Sequence, residues 1–245
     1  MKQLRTIVGV ALCAGAFSSA SLQAVAVTPM ITRLEPTGAH SSYRMSVKNT
    51  EAVPVTVEFE TWSMELDDNG MRTLTEDKDD LLVFPPQSII PPGREQIVQI
   101  RYIGKLADAK GRMYVVRVAQ LPIELGTEPG ATTSAKMKIA FNVSTNIYVA
   151  PPKSAGRLEV RSVTRQANGD VLASVENVGD GFALLRNATY AVTNAQGQKI
   201  LVEPGKIEVG DVSALGAGRK RNLRIAADDV KTEGSSELTL AVQLL

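Results

Sequence analysis

The chain has 245 residues, 44% of them hydrophobic and 22% charged, which suits a packed core and excludes wholesale disorder. Lys and Arg number 27 against 26 Asp and Glu, so no basic excess points to nucleic acid or to an anionic membrane surface. One His and one Cys are too few for a His/Cys zinc site, and they exclude a Cys–His or Ser–His–Asp triad unless His40 alone is the base. The composition leans away from an enzyme, and it implies no metal and no cofactor.

The N-terminus has the form of a secretory signal. Lys2 and Arg5 precede an apolar run from Ile7 to Phe17, followed by small residues and Ala24-Val25-Ala26. Residues 1–26 are expected to be removed, with cleavage after Ala24 or Ala26 fitting equally well. The run is too short to span a bilayer, and Leu12 is too bulky for a lipoprotein signal at Cys13. Cleavage takes away the single cysteine, so the exported chain must be held by its core rather than by disulfides. No second apolar run of spanning length follows, which predicts no direct membrane insertion.

Beyond the signal the chain reads as strands and turns. Ser42–Val47 alternates, with Tyr43, Met45 and Val47 on one face. Val53–Trp62 is rich in β-branched and aromatic residues. Asp67-Asp68-Asn69-Gly70 marks a hairpin. Gln96–Tyr102 alternates, with Ile97 or Val98 starting the inward set. Lys105–Lys110, the best helical candidate, is too short to matter. Met113–Val118 and Met137–Val149 are further strands. Pro151–Gly156 punctuates the chain and predicts a domain boundary, giving domains 27–151 and 152–245. In the second, Leu158–Val163, Val171–Val175, Ala188–Val192, Ile200–Ile207, Leu223–Ile225 and Leu238–Leu244 read as strands. Strands at this spacing predict an all-β protein of two Ig-like sandwiches joined by a short linker.

Most chemically suggestive residues have plainer readings. His40 lies in a polar turn and reads as an exposed loop residue. Asp67, Asp68, Asp77, Asp79 and Asp80 lack the spacing of a calcium loop and read as a solvated rim. Gly216-Ala217-Gly218-Arg219-Lys220-Arg221 has no strand–loop–helix context for phosphate and reads as a turn with solvated bases. Asn142-Val143-Ser144 and Asn187-Ala188-Thr189 match the glycosylation pattern without further support. The informative stretch is Met137–Pro151, where Met137, Ile139, Phe141 and Val143 take every second position. Alternation alone fits a half-buried strand on its own core. It also fits an edge strand whose apolar face fills a partner's groove and needs a partner or cap.

Four passages together resemble the PapD-like chaperones of the chaperone–usher pathway of pilus and fimbrial assembly. They are Phe84–Arg101 with its Pro-Pro and Pro-Gly steps, Tyr114–Pro122, Met137–Pro151, and Ala52-Val53-Pro54-Val55. The likeness runs through the first domain in order and is looser at Val175-Glu176-Asn177 and Leu215–Lys220. It implies an L-shaped pair of Ig-like domains and a periplasmic chaperone. Such a chaperone lends an edge strand to an incomplete pilus subunit, folds and caps it, and delivers it to an outer-membrane usher. The resemblance makes Met137, Ile139, Phe141 and Val143 the donor residues. It makes Arg33 the first base holding the subunit's C-terminal carboxylate. The second base maps to Asn146, which is uncharged. That departure implies a divergent branch, archaic or alternate, and makes Arg101 and Arg117 candidates for a compensating base. A self-capping oligomer is expected when no subunit is bound. The competing readings are a secreted tandem Ig-like structural or adhesion module and a secreted β-sandwich enzyme.

Overall fold

The computed structural model describes residues 25–105, 111–121, 140–230 and 238–244. The first domain contains β1 (Val25–Thr28), β2 (Ile31–Leu34), β3 (Ser42–Asn49), β4 (Val55–Leu66), β5 (Arg72–Glu76), β6 (Leu81–Phe84), β7 (Gln87–Ile90), β8 (Glu95–Tyr102), β9 (Arg112–Gln120) and β10 (Asn142–Val149). One sheet runs β1-β3-β8-β6, the other β2-β10-β9-β4-β5, with β7 also on β4. Alternation decides the faces. Met45 and Val47 of β3, Val98 and Ile100 of β8, and Val55, Val57 and Phe59 of β4 meet Ile147 and Val149 of β10 in one core. Val98 therefore starts the inward set of β8. Val25 is buried in the same core, so the domain begins two residues before the expected boundary at 27.

The second domain contains β11 (Leu158–Arg165), β12 (Val171–Asn177), β13 (Ala183–Leu184), β14 (Ala188–Asn194), β15 (Lys199–Val202), β16 (Ile207–Glu208), β17 (Ala214–Leu215), β18 (Lys220–Ile225) and β19 (Leu238–Leu244). Sheets β11-β12-β18-β16 and β15-β14-β19 close over a second core, with β13 and β17 paired beside them. The chain is all-β in two sandwiches, as expected. The stretch Ile200–Ile207 is not one strand. Pro204 opens a single 3-10 turn at Pro204–Lys206, and β15 and β16 lie in different sheets. Of the expected helical turn Lys105–Lys110, all but Lys105 lies outside the described residues. Among the described residues no helix is long and apolar enough to cross a membrane.

Two features hold the domains together. A third apolar cluster joins Met64, Val115 and Tyr148 of the first domain to Val212 and Ala214 of the second. The Tyr148 and Phe182 rings sit 5.2 Å apart there. The β4–β5 hairpin tip then reaches the second domain. Asp67 closes the tip by accepting from the Asn69 and Met71 amides, and Gly70 turns at φ +78°. Beyond it, the Asn222 amide donates to Asp68 O at 2.6 Å and the Asp211 amide to Gly70 O at 3.0 Å.

Under this tip lies Arg221, which is fully buried and not a solvated base of the Gly216–Arg221 turn. Nη1 donates to the carbonyls of Val209 and Val212, and Nη2 to that of Ala214. Burial pushes the guanidinium below its ordinary pKa, and the Asp67 and Asp68 carboxylates act against that shift. A side chain at Gly70 would collide with both Val209 O and this guanidinium. Gly70→Ala should therefore cost about 1–2 kcal/mol in backbone conformation alone and push the tip off the second domain. An increased radius of gyration in small-angle scattering is the expected readout, and an unchanged radius would contradict the latch. Arg221→Met keeps the volume but strands the carbonyls, and should cost at least about 2 kcal/mol by denaturant unfolding.

Candidate functional site

The first domain presents β10 between two unequal neighbours. On one side β9 pairs with it along its whole length, from Asn142↔Ala119 to Val149↔Arg112. On the other, β2 runs parallel and covers only Asn146 to Val149. Asn142–Thr145 is therefore an open edge. Hydrogen-bond direction follows from two contacts. The Gln120 amide donates to Phe141 O at 3.0 Å, and the Asn146 amide donates to Met30 O at 2.9 Å. Even-numbered residues thus aim their main-chain groups away from β9, and those of Asn142 and Ser144 point to the open side. An incoming extended chain would find a ready ladder there.

Side chains follow the opposite rule. Phe141, Val143, Thr145, Ile147 and Val149 share the face toward the home core. Ile147 and Val149 are buried, and Phe141 and Val143 are half-buried against that core. Thr145 is buried, with its hydroxyl donating to Val116 O at 3.2 Å. The stripe is thus not reserved for a partner: its described part also closes the domain's own sandwich. Met137 and Ile139 lie outside the described residues.

The other face of this sheet looks toward the second domain. It carries Trp62 and Met64 of β4, Val115 and Arg117 of β9, Asn146 and Tyr148 of β10, and Ile31 and Arg33 of β2. Arg33 and Asn146 therefore share a face on neighbouring strands, Arg33 opposite Tyr148 and Asn146 opposite Ile31. Arg33 does not stand free. Its Nη2 donates to Pro151 O at 3.0 Å, Ser154 O at 3.0 Å and Ser154 Oγ at 2.9 Å, binding the interdomain linker. The linker is tightly seated elsewhere too, since a Cβ on Gly156 would come 2.6 Å from Ala183 Cα.

Neither compensating arginine lies beside this group. Arg117 is on the same face, but strand spacing and rise put it about 16 Å from Arg33. It pairs with Glu60 at 3.2 Å and stacks 4.8 Å over the Trp62 ring. Arg101 is on β8 in the opposite sheet, where Val98, Ile100 and Tyr102 face inward and Arg101 faces out. The structure does not bring Arg101 to the cleft. The cation near Arg33 is instead Lys153, a residue the sequence reading passed over. Arg33, Glu35, His40 and Lys153 line one open depression of about 250 Å³. His40 is an exposed loop residue there, 3.5 Å from Glu35. Nothing in the local pattern of Pro151-Pro152-Lys153-Ser154 marks that lysine; only the fold of the linker round Arg33 reveals it.

A larger cleft of about 490 Å³ opens between the domains, lined by Met64, Tyr114, Phe182 and Arg221 among others. On its wall Asp80 accepts from Arg112 at 2.7 Å and from the Tyr114 hydroxyl at 2.6 Å. Burial and this bond to a carboxylate push the Tyr114 hydroxyl above its ordinary pKa. Among the described residues no cluster of His, Cys, Asp or Glu is arranged to hold a metal ion.

Comparison with known proteins gives the family. No curated protein matches the chain. Among solved structures it resembles the class 5 fimbriae chaperone CfaA, with TM-score 0.57 and 11% identity over 90% of this chain and 98% of that one. A chain of the Salmonella enterica SafA pilin–SafB chaperone complex gives TM-score 0.55 at 16% identity over 92% and 99%. One from the CsuC–CsuE pre-assembly complex of archaic chaperone-usher pili of Acinetobacter baumannii gives 0.53 at 14% over 89% and 97%. These likenesses span both sandwiches and establish the shared fold. Residues 24–155 match the pilus and flagellar-assembly chaperone model for the PapD N-terminal domain, and the chain belongs to that family of chaperones.

Proposed function

We propose that this pilus-assembly chaperone acts in the periplasm, captures subunits by donor-strand complementation and hands them to an outer-membrane usher. The observation that carries the reading is the open edge Asn142–Thr145 of β10 beside a half-covered apolar stripe. A subunit lacking a strand would take the main-chain groups of Asn142 and Ser144, while Phe141 and Val143 supply apolar contact. Met137 and Ile139 extend the donor stripe upstream. Arg33, on the cleft face, receives the subunit's terminal carboxylate, with Asn146 as an uncharged hydrogen-bonding neighbour. Binding and subunit folding supply the free energy, so the reading needs neither catalysis nor a cofactor. The stripe at Phe141 and Val143 is also what a self-capping oligomer of the free chaperone would cover. For the leader, cleavage after Ala24 is favoured over Ala26, because Val25 is a core residue of β1.

Main-chain recognition gives a sharp test by co-purification of a tagged pilus subunit encoded with the chaperone. Ser144→Pro removes an outward N–H without touching the home ladder. Capture should fall at least about tenfold, with the thermal midpoint nearly unchanged. Val143→Pro, whose N–H faces β9, should instead destabilise the domain. Full capture by Ser144→Pro would exclude strand donation at this edge.

Two side-chain substitutions separate the stripe from the anchor. Phe141→Ala should weaken capture and also lower the chaperone's own stability, by about 1–2 kcal/mol for a half-buried ring. Arg33→Ala should abolish stable complexes while also releasing the Pro151 and Ser154 oxygens. Arg33→Lys keeps the charge but not the planar fork, and should retain only part of the capture. Normal yield from Arg33→Ala would remove the carboxylate-anchor assignment.

A further inference from the structure

The depression beside Arg33 contains a second cation in an unusual backbone state. Lys153 has φ +60°, and among the described residues it is the single non-glycine at positive φ. An L-residue held there costs about 1–2 kcal/mol relative to glycine. Such an outlier persists only where its surroundings impose it, and it marks functional positions. Here the surroundings are identifiable. The turn closes with the Ser154 amide donating to Pro151 O at 3.3 Å and the Ser154 hydroxyl to the same oxygen at 2.7 Å. Arg33 Nη2 grips both ends of that turn, at Pro151 O and at Ser154. The guanidinium thus organises the residue that stands between its own two anchor points. All three bonds come from one nitrogen, which leaves the Nε and Nη1 donors of Arg33 for another acceptor.

The charges around the depression are Arg33, Lys153, Glu35 and His40. Glu35 stands against His40 at 3.5 Å, on the rim. The two cations have no carboxylate partner among the described ion pairs. Two like charges converging on one open depression of about 250 Å³ repel each other until an anion enters. A carboxylate suits the space: it accepts two parallel bonds from a guanidinium and further bonds from an ammonium.

We infer that Lys153, together with Arg33, forms the binding site for a polypeptide's terminal carboxylate, supplying the second positive charge that Asn146 does not. This rests on the donor-strand reading and identifies a base within it. Lys153 comes from the linker, so the site assembles only when the linker is folded against β2. Anion binding and the interdomain turn are thereby coupled.

The test uses the full chaperone and two forms of one pilus subunit encoded with it. One form ends in its natural carboxylate and the other, made by peptide ligation, ends in a carboxamide. Wild type should bind the carboxylate form at least about tenfold tighter. Lys153→Gly suits the positive φ and removes the charge. It should lose most of that preference, bind the carboxamide form as wild type does, and melt no lower. Lys153→Asn, which tolerates the same backbone, should behave likewise. A preserved carboxylate preference in both variants overturns the proposal and leaves strand donation standing. A lowered melting point with the preference intact assigns the residue a structural role and equally overturns it. If wild type captures neither form, the donor-strand reading itself fails. If added inorganic phosphate competes with both subunit forms equally, the depression is a general anion site and the terminal carboxylate is not its ligand.

Discussion

A buried cation with no buried counter-ion sets the geometry on which the other features depend. Arg221 is satisfied by carbonyls of one loop, Val209, Val212 and Ala214, and is roofed by the glycine at the tip of a hairpin from the other domain. Burying a charge this way is costly unless its bonds are well made. The arrangement is therefore selective: the loop must curl round the guanidinium, and the roof must lack a side chain. Met64, Val115, Tyr148, Val212 and Ala214 add apolar burial at the same junction, but apolar contact alone tolerates sliding. The directed bonds and the steric stop at Gly70 supply the register that grease cannot.

With the junction set, β10 serves three ends along eight residues. Its last four residues are paired on both sides and carry Ile147 and Val149 into the home core. Tyr148, between them, faces the second domain. Its first four residues are paired on one side only. The transition occurs where the short parallel strand β2 ends, and β2 also carries Arg33. One four-residue strand thus determines where the open edge stops and where the cation begins. Strand donation and carboxylate binding are consequently a fixed distance apart, which would let the chaperone read both the missing strand and the end of the same partner chain.

Much of this was legible before any coordinates. Period-two alternation placed Tyr43, Met45 and Val47 together, and the Asp67–Gly70 turn was visible as a hairpin. The second sandwich was less legible where strands are two residues long. Nothing about Ala183-Leu184 or Ala214-Leu215 signals pairing, and one proline splits Ile200–Ile207 between sheets. The arginines show where local pattern fails. Arg101 was excluded from the cleft by its own alternation, since Tyr102 and Ile100 face inward. Arg117 needed Glu60, distant in sequence, to be seen as neutralised. Arg221, in a Gly-rich basic stretch, reads as solvated because its partners are carbonyls, which leave no mark on sequence. Lys153 was hidden for the same reason: its neighbour Arg33 is bound to linker carbonyls rather than to an acid.

An open strand edge invites self-association, and this one is restrained in two ways. It is short within the described residues, because β2 covers everything from Asn146 onward. Its cleft-side residues, Asn142, Ser144 and Asn146, are polar, so a strand docking there from another molecule gains hydrogen bonds but little apolar burial on that face. The gain must come from the other face, where Phe141 and Val143 are already half-covered by their own core. A casual partner therefore obtains only the remaining half of that area. A partner that lacks a strand of its own obtains more, since the same residues complete a core that is otherwise open. Selectivity for incomplete sandwiches then follows from partial self-burial: what the chaperone withholds from ordinary edges is the surface that a complete fold has no use for.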